Sequence, residues 1–146
     1  MSWVLFGITA VAVFLLALAS SVQLLYLESL RLRTRDLPAL EFFKSQLENR
    51  IGLETDQGAL SFSVLKHTML ALLGVLVLGS FLGRGITWVT FLEACCTSLA
   101  LMLIGGYAIP QVTYRRSAGR WLAPLVPLLR ALALAMRPVT GLFNFF

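Results

Sequence analysis

The stretch that decides the fold is residues 86–111, ITWVTFLEACCTSLALMLIGGYAIPQ. It is apolar over more than the roughly 20 residues that a helix needs to cross a bilayer. One acidic residue, Glu93, lies within it, and it closes with Gly106 and Pro110. An acid inside a membrane helix indicates either an ion pathway or a polar contact with another helix or a partner subunit. We therefore predict a span over about 86–109, and Glu93, Gly106 and Pro110 are the candidates for that pathway or contact.

The composition extends this prediction to the whole chain. Of 146 residues, 58% are hydrophobic and 13% are charged, and the mean hydropathy is +0.84. A soluble domain of this length rarely carries so much apolar surface, so the sequence predicts one all-α, multi-pass membrane domain. The net charge of +5 does not indicate nucleic acid, because the arginines flank apolar spans instead of forming a solvated patch. They are typical of residues that set topology and contact anionic lipid, so the expected partner is the bilayer.

Two further apolar stretches predict spans at about 2–27 and 61–83, which makes three transmembrane helices. A signal peptide is the alternative for the first stretch, but its start lacks a basic segment and the apolar run continues past the cleavage-like site. Lys66, at the start of the second span, is expected to extend its amine to the headgroups. Basic residues cluster after the first and third spans, and these predicted membrane-surface residues are Arg31, Arg33, Arg35, Arg115, Arg116 and Arg120.

This distribution of positive charge predicts the orientation. Basic segments next to spans stay in the cytoplasm, and Arg84 is the only arginine in the predicted loop on the other side. We therefore expect an integral protein of a bacterial inner (plasma) membrane, with its N-terminus outside and its C-terminus in the cytoplasm.

Two amphipathic segments are predicted on the cytoplasmic side, at residues 37–52 and 122–143. In the first, apolar residues recur every three or four positions, the spacing of one helical face: Leu40, Phe43, Leu47 and Ile51. This belt helix either lies on the membrane or packs on the spans. In the second, Arg130 and Arg137 share one face, and prolines are expected to divide the segment. We expect a juxtamembrane helix there, and a fourth span is the alternative.

The residues do not favour an enzyme. His67 is the single histidine, and no nucleophile–base pair, zinc-ligand spacing or phosphate-binding glycine loop is present. The adjacent Cys95 and Cys96 are expected to be small packing residues. We expect no catalytic residue and no cofactor, although a bound lipid would be compatible with the composition.

The order of motifs near the C-terminus resembles one family, the membrane domain of the CNNM/CorC-type magnesium and cobalt efflux proteins. That family reads Gly-Glu-Ile-x-Pro-Lys, then basic residues, then Leu-Ala-Pro and a later proline near Leu-Asn. The matching positions here are Gly106 to Gln111, Arg115-Arg116, Leu122-Ala123-Pro124, Pro138 and Leu142-Phe143-Asn144. The family's Ser-x-Ser-Glu-x-Ala kink falls on Leu18 to Gln23. The resemblance covers nearly the whole chain and implies three spans, a belt helix and a juxtamembrane helix.

The chain departs from the family where the metal would bind. The resemblance implies Mg²⁺ held by serine, asparagine and glutamate oxygens, the ligands that hard cations need. Here Ser20 matches the serine, but Ser21 and Tyr107 replace glutamates, and Thr68 lies near the family's asparagines. No carboxylate remains at these degenerate metal positions, and we expect no metal there. We also expect no regulatory CBS pair or other soluble domain.

Two functions follow from this resemblance. The first is a degenerate homologue that acts as a structural or assembly subunit of a larger membrane complex. The partners expected besides the bilayer are other membrane-protein subunits or a second copy of the chain in a homodimer. The second is a Mg²⁺/Co²⁺ or Na⁺-coupled transporter with an altered ion site, which would use Glu93, Ser20, Ser21 and Thr68 as polar stepping points.

Overall fold

The structure is a computed structural model, and it describes residues 3–30, 43, 50, 55–116 and 120–145. All regular structure in these residues is helical, which confirms the all-α fold class. In chain order the elements are α1 (Trp3–Leu30), α2 (Thr55–Leu82), α3 (Trp88–Leu103), a π-helical turn (Ile104–Ala108), α4 (Ile109–Arg116), a 3-10 helix (Arg120–Leu125) and α5 (Val126–Phe145).

Four helical stretches in the described residues are long and apolar enough to cross a membrane. They are Trp3–Glu28, Gln57–Leu82, Trp88–Arg116 and Trp121–Val139. The first three correspond to the predicted spans, with the second beginning about four residues earlier than predicted. The fourth coincides with the predicted juxtamembrane helix, so length and apolarity do not limit the number of spans to three.

An aromatic cluster fixes the contact between α1 and α2, which pack along each other. The Tyr26 ring stacks on Phe62 at a centroid distance of 5.9 Å, and Phe43 meets it edge-on at 4.8 Å. Gly58 allows the α2 backbone to approach, because a Cβ there would overlap the Tyr26 ring. Phe43 belongs to the apolar face predicted for residues 37–52, most of which lie outside the described residues, and its side chain is fully buried.

A tight turn joins α2 to α3 and returns the chain alongside α2, as the sequence predicts. The Gly85 N–H donates to the Leu82 carbonyl at 3.2 Å. Gly85 has φ +99°, a conformation that side chains with a Cβ rarely adopt. Thr87 then caps α3, because its Oγ1 accepts a hydrogen bond from the Thr90 N–H at 3.1 Å. We call this end of the bundle the turn end, and the opposite end, where α4 finishes, the basic end.

The third apolar helix does not end at about residue 109, where the predicted span closes: it continues to Arg116. In a regular α-helix the proline ring would collide with the carbonyl four residues earlier, that of Gly106. The π turn removes this conflict by widening the helix, and the Ile109 N–H donates to the Ile104 carbonyl five residues back. The glycine pair and the proline therefore mark a change of helical pitch.

Near the C-terminus, the change from the 3-10 helix to α5 falls between Pro124 and Pro127, but Pro138 does not divide the segment, contrary to prediction. α5 runs unbroken from Val126 to Phe145 and contains Pro138, while Pro124 lies in the 3-10 helix before it. A proline in the first turn of a helix loses no hydrogen bond, which accommodates Pro127. Pro138 costs one backbone hydrogen bond, and such a loss bends a helix without ending it.

Candidate functional site at the π turn

The predicted degenerate metal positions in the first two spans lie on α1 and α2. Ser20 and Ser21 are buried on α1. The Ser21 Oγ donates to the Ala17 carbonyl at 2.7 Å, whereas the Ser20 Oγ has no hydrogen-bond partner in the described part of the chain. On α2, Thr68 is exposed, and its hydroxyl donates to the Val64 carbonyl at 2.9 Å. Two of these three hydroxyls therefore donate to their own helix.

The fourth of these positions, Tyr107, lies in the π turn beside a cation. The Lys66 Nζ is 4.3 Å from the centroid of the Tyr107 ring, within the range of a cation–π interaction. The lysine stem passes close to Gly106, where a Cβ would lie 3.8 Å from the Lys66 Cε, an ordinary van der Waals contact. An ammonium group thus stands next to the residue that the resemblance aligns with a metal-binding carboxylate. The sequence does not predict this contact, since Lys66 is expected to extend its amine to the headgroups.

The π turn also brings Pro110 next to Ser21. Both residues line a cavity of about 10 Å³ between α1, α4 and the 3-10 helix, together with Thr113 and Trp121. This volume holds about one water molecule. The Thr113 Oγ1 already donates to the Ile109 carbonyl at 2.8 Å. The structure therefore gathers Ser21, Pro110 and the π turn in one region, and the cavity there is too small for a hydrated ion.

Glu93 lies apart from this region. It precedes Tyr107 by 14 residues, which corresponds to about 21 Å along a helix at 1.5 Å per residue. Its side chain is exposed. Its helix is the least buried of the four apolar stretches in the described residues, and Ala94 is the residue that α3 buries. Cys95 and Cys96, predicted to be packing residues, are also exposed within this chain.

The predicted membrane-surface arginines are described only in part. Arg115 and Arg116 occupy the last turn of α4 and are exposed at the basic end. Positive charges there are favourable, because they lie next to the carbonyl end of the helix dipole. Arg120 begins the 3-10 helix. The other three, Arg31, Arg33 and Arg35, lie outside the described residues.

Comparison with known proteins adds no family to this description. No known protein family, no curated protein and no solved structure matches the chain. The fold defines the class: an all-α protein with apolar helices that are long enough to span a membrane.

Proposed function

We propose that the chain is a non-catalytic multi-pass membrane protein, a degenerate CNNM/CorC-like domain that acts as a structural or assembly subunit of a larger membrane complex. The observation that carries this proposal is the ammonium of Lys66 beside the Tyr107 ring. The positive charge of an ammonium group repels Mg²⁺, and the neutral hydroxyl oxygens of Ser21 and Thr68 are weak ligands without a carboxylate beside them. The residues around the π turn therefore do not suit a divalent cation.

The exposed face of α3 supports a role in assembly. A carboxyl group that faces lipid is costly, so acids in membrane helices usually pair with another group. Glu93 is exposed on the helix that this chain covers least. A foreign subunit of the complex would cover α3 and supply hydrogen-bond donors to Glu93. The proposed partner is thus another membrane helix with a polar or basic residue at the depth of Glu93.

We further propose three spans, with α5 lying along the membrane surface at the basic end. Arg130 and Arg137 are exposed on α5, whereas Leu129 and Ala133 are buried against the bundle. Two exposed arginines would be expensive in a fourth span and are favourable among headgroups. With the basic end in the cytoplasm, the N-terminus lies outside, and the proposed location is a bacterial inner membrane.

The deciding experiment is purification of the tagged full chain from native membranes in a mild detergent, followed by mass determination and identification of its companions. The proposal predicts foreign membrane subunits in stoichiometric amounts. Glu93→Gln keeps a hydrogen-bonding group and should retain them, whereas Glu93→Leu removes it and should release them. Leu92→Ala, at the adjacent exposed position, is the control for a general disturbance of α3. A homodimer without foreign subunits would contradict the assembly role.

One observation favours the alternative, a Mg²⁺/Co²⁺ or Na⁺-coupled transporter with an altered ion site. The Ser20 Oγ is buried and lacks a hydrogen-bond partner within the described residues, so it is open to a ligand. Flux of Mg²⁺ and Na⁺ into liposomes containing the purified chain tests this function. Transport that uses Glu93 as a stepping point should be abolished in Glu93→Gln, and unchanged flux in that variant would remove Glu93 from the pathway.

A further inference from the structure

A large cavity opens at the turn end of the bundle, away from the π turn. Its volume is about 530 Å³, and it lies between α1, α2 and α3. On α1 its lining extends from Phe6 to Val13, which corresponds to a depth of about 10 Å at 1.5 Å per residue. α1 contacts the π turn and α4 but has few contacts with α3, which leaves this space between the two helices.

The walls of this cavity suit an apolar occupant. Phe6, Val13 and Val77 contribute hydrocarbon surface. Three hydroxyls line the wall, those of Thr9, Ser80 and Thr97. Two of them donate to their own helices: Thr9 to the Leu5 carbonyl at 2.8 Å, and Ser80 to the Leu76 carbonyl at 2.9 Å. Water gains few partners in such a space, and an empty apolar cavity forfeits dispersion contacts.

The mouth of the cavity carries a positive charge. Arg84, in the turn between α2 and α3, is part of the lining, and its guanidinium lies 5.2 Å from the centroid of the Phe81 ring. Phe81 lines the cavity as well, so this contact holds the cation at the opening. Arg84 is the one basic residue that the described part of the chain places at the turn end. A guanidinium forms paired, charge-assisted hydrogen bonds with phosphate oxygens.

The volume of the cavity, about 530 Å³, indicates the size of its occupant. The volume falls within the range of roughly 300–1,000 Å³ that is usual for small-molecule sites.

From these observations we propose that the cavity binds one anionic phospholipid from the leaflet at the turn end. One acyl chain lies between α1 and α3, and the phosphate pairs with Arg84. The site requires no partner subunit and no ion, so it is independent of the assembly role.

The test uses the full chain in nanodiscs with equal amounts of phosphatidylglycerol and phosphatidylcholine that carry the same acyl chains. Native mass spectrometry then counts the lipids retained after release. The wild type should retain one phospholipid and prefer phosphatidylglycerol by about fivefold, or about 1 kcal/mol. Arg84→Gln should lose the preference. Arg116→Gln, at the basic end, should keep it. An unchanged preference in Arg84→Gln would overturn the proposed role of the arginine.

A second pair of variants tests the cavity itself. Ala10 lines it, whereas Ala100 is exposed on α3 outside it. Ala10→Trp should fill part of the cavity and abolish lipid retention, and Ala100→Trp should retain the lipid. Equal retention in these two variants would overturn the site, since the lipid would then lie elsewhere on the surface.

Discussion

The contact between Gly58 and Tyr26 gives the sharpest stability prediction. A methyl group at position 58 would overlap three atoms of the buried Tyr26 ring, which is itself held between Phe62 and Phe43. Overpacking of this kind costs about 1–3 kcal/mol. Replacing glycine by alanine in a helix otherwise raises the free energy of unfolding by up to about 1 kcal/mol. Gly58→Ala should therefore lower the free energy of unfolding by about 1–2 kcal/mol.

Gly79→Ala is the matched control, because Gly79 lies near the other end of α2 and a Cβ there meets nothing within 4 Å. It should be neutral, or stabilising by up to about 1 kcal/mol. Reversible unfolding by sodium dodecyl sulfate in mixed micelles, followed by circular dichroism, measures both variants. In a Tyr26→Leu background, Gly58→Ala should cost about 0.5 kcal/mol or less, since the clashing ring is gone. An equal cost in both backgrounds would refute the proposed clash.

Three further predictions concern the π turn, the cap of α3 and the serines of α1. Gly105→Ala should be about 1 kcal/mol less stable than Gly106→Ala in the same titration. The new Cβ would lie 3.1 Å from the buried Leu16 side chain in the first variant and 3.8 Å from Lys66 in the second. Equal stabilities would contradict this packing. Thr87→Ala should cost about 1 kcal/mol and speed amide exchange in the first turn of α3, whereas Thr87→Ser should keep the cap. Ser20→Ala should cost less than Ser21→Ala, because only the Ser21 hydroxyl has a hydrogen bond to lose; the reverse order would show that Ser20 has a partner.

The helices could be predicted from the sequence because their cause is local. Long apolar runs bounded by charge indicate the helices that became α1, α2 and α3, and the glycine-rich turn between α2 and α3 indicates their antiparallel return. The number of spans could not be predicted in this way, because α5 is apolar enough to cross a membrane and also carries two exposed arginines. Its position depends on the balance between these two properties, which composition alone does not decide.

The surroundings of the predicted site residues could not be predicted, because they depend on contacts between residues far apart in the chain. Lys66 and Tyr107 lie on different helices, and no spacing rule connects them. The prolines misled the prediction for a related reason. A proline predicts the end of a helix, but a π turn ahead of Pro110 removes the steric conflict. Such a compensation is a property of the folded backbone.

The π turn has a consequence for every residue that follows it. The partly or fully buried positions on α3 recur every three or four residues, at Ala94, Ser98 and Leu101. If this spacing continued past the π turn, Ala108 and Val112 would be buried in the bundle. Both are exposed, and Pro110, Thr113 and Tyr114 face inward instead. The turn therefore acts as a one-residue insertion that rotates the rest of the helix by about 100°. In an evolutionary comparison, an alignment that keeps constant helical phase across residue 105 would pair exposed positions with core-facing ones.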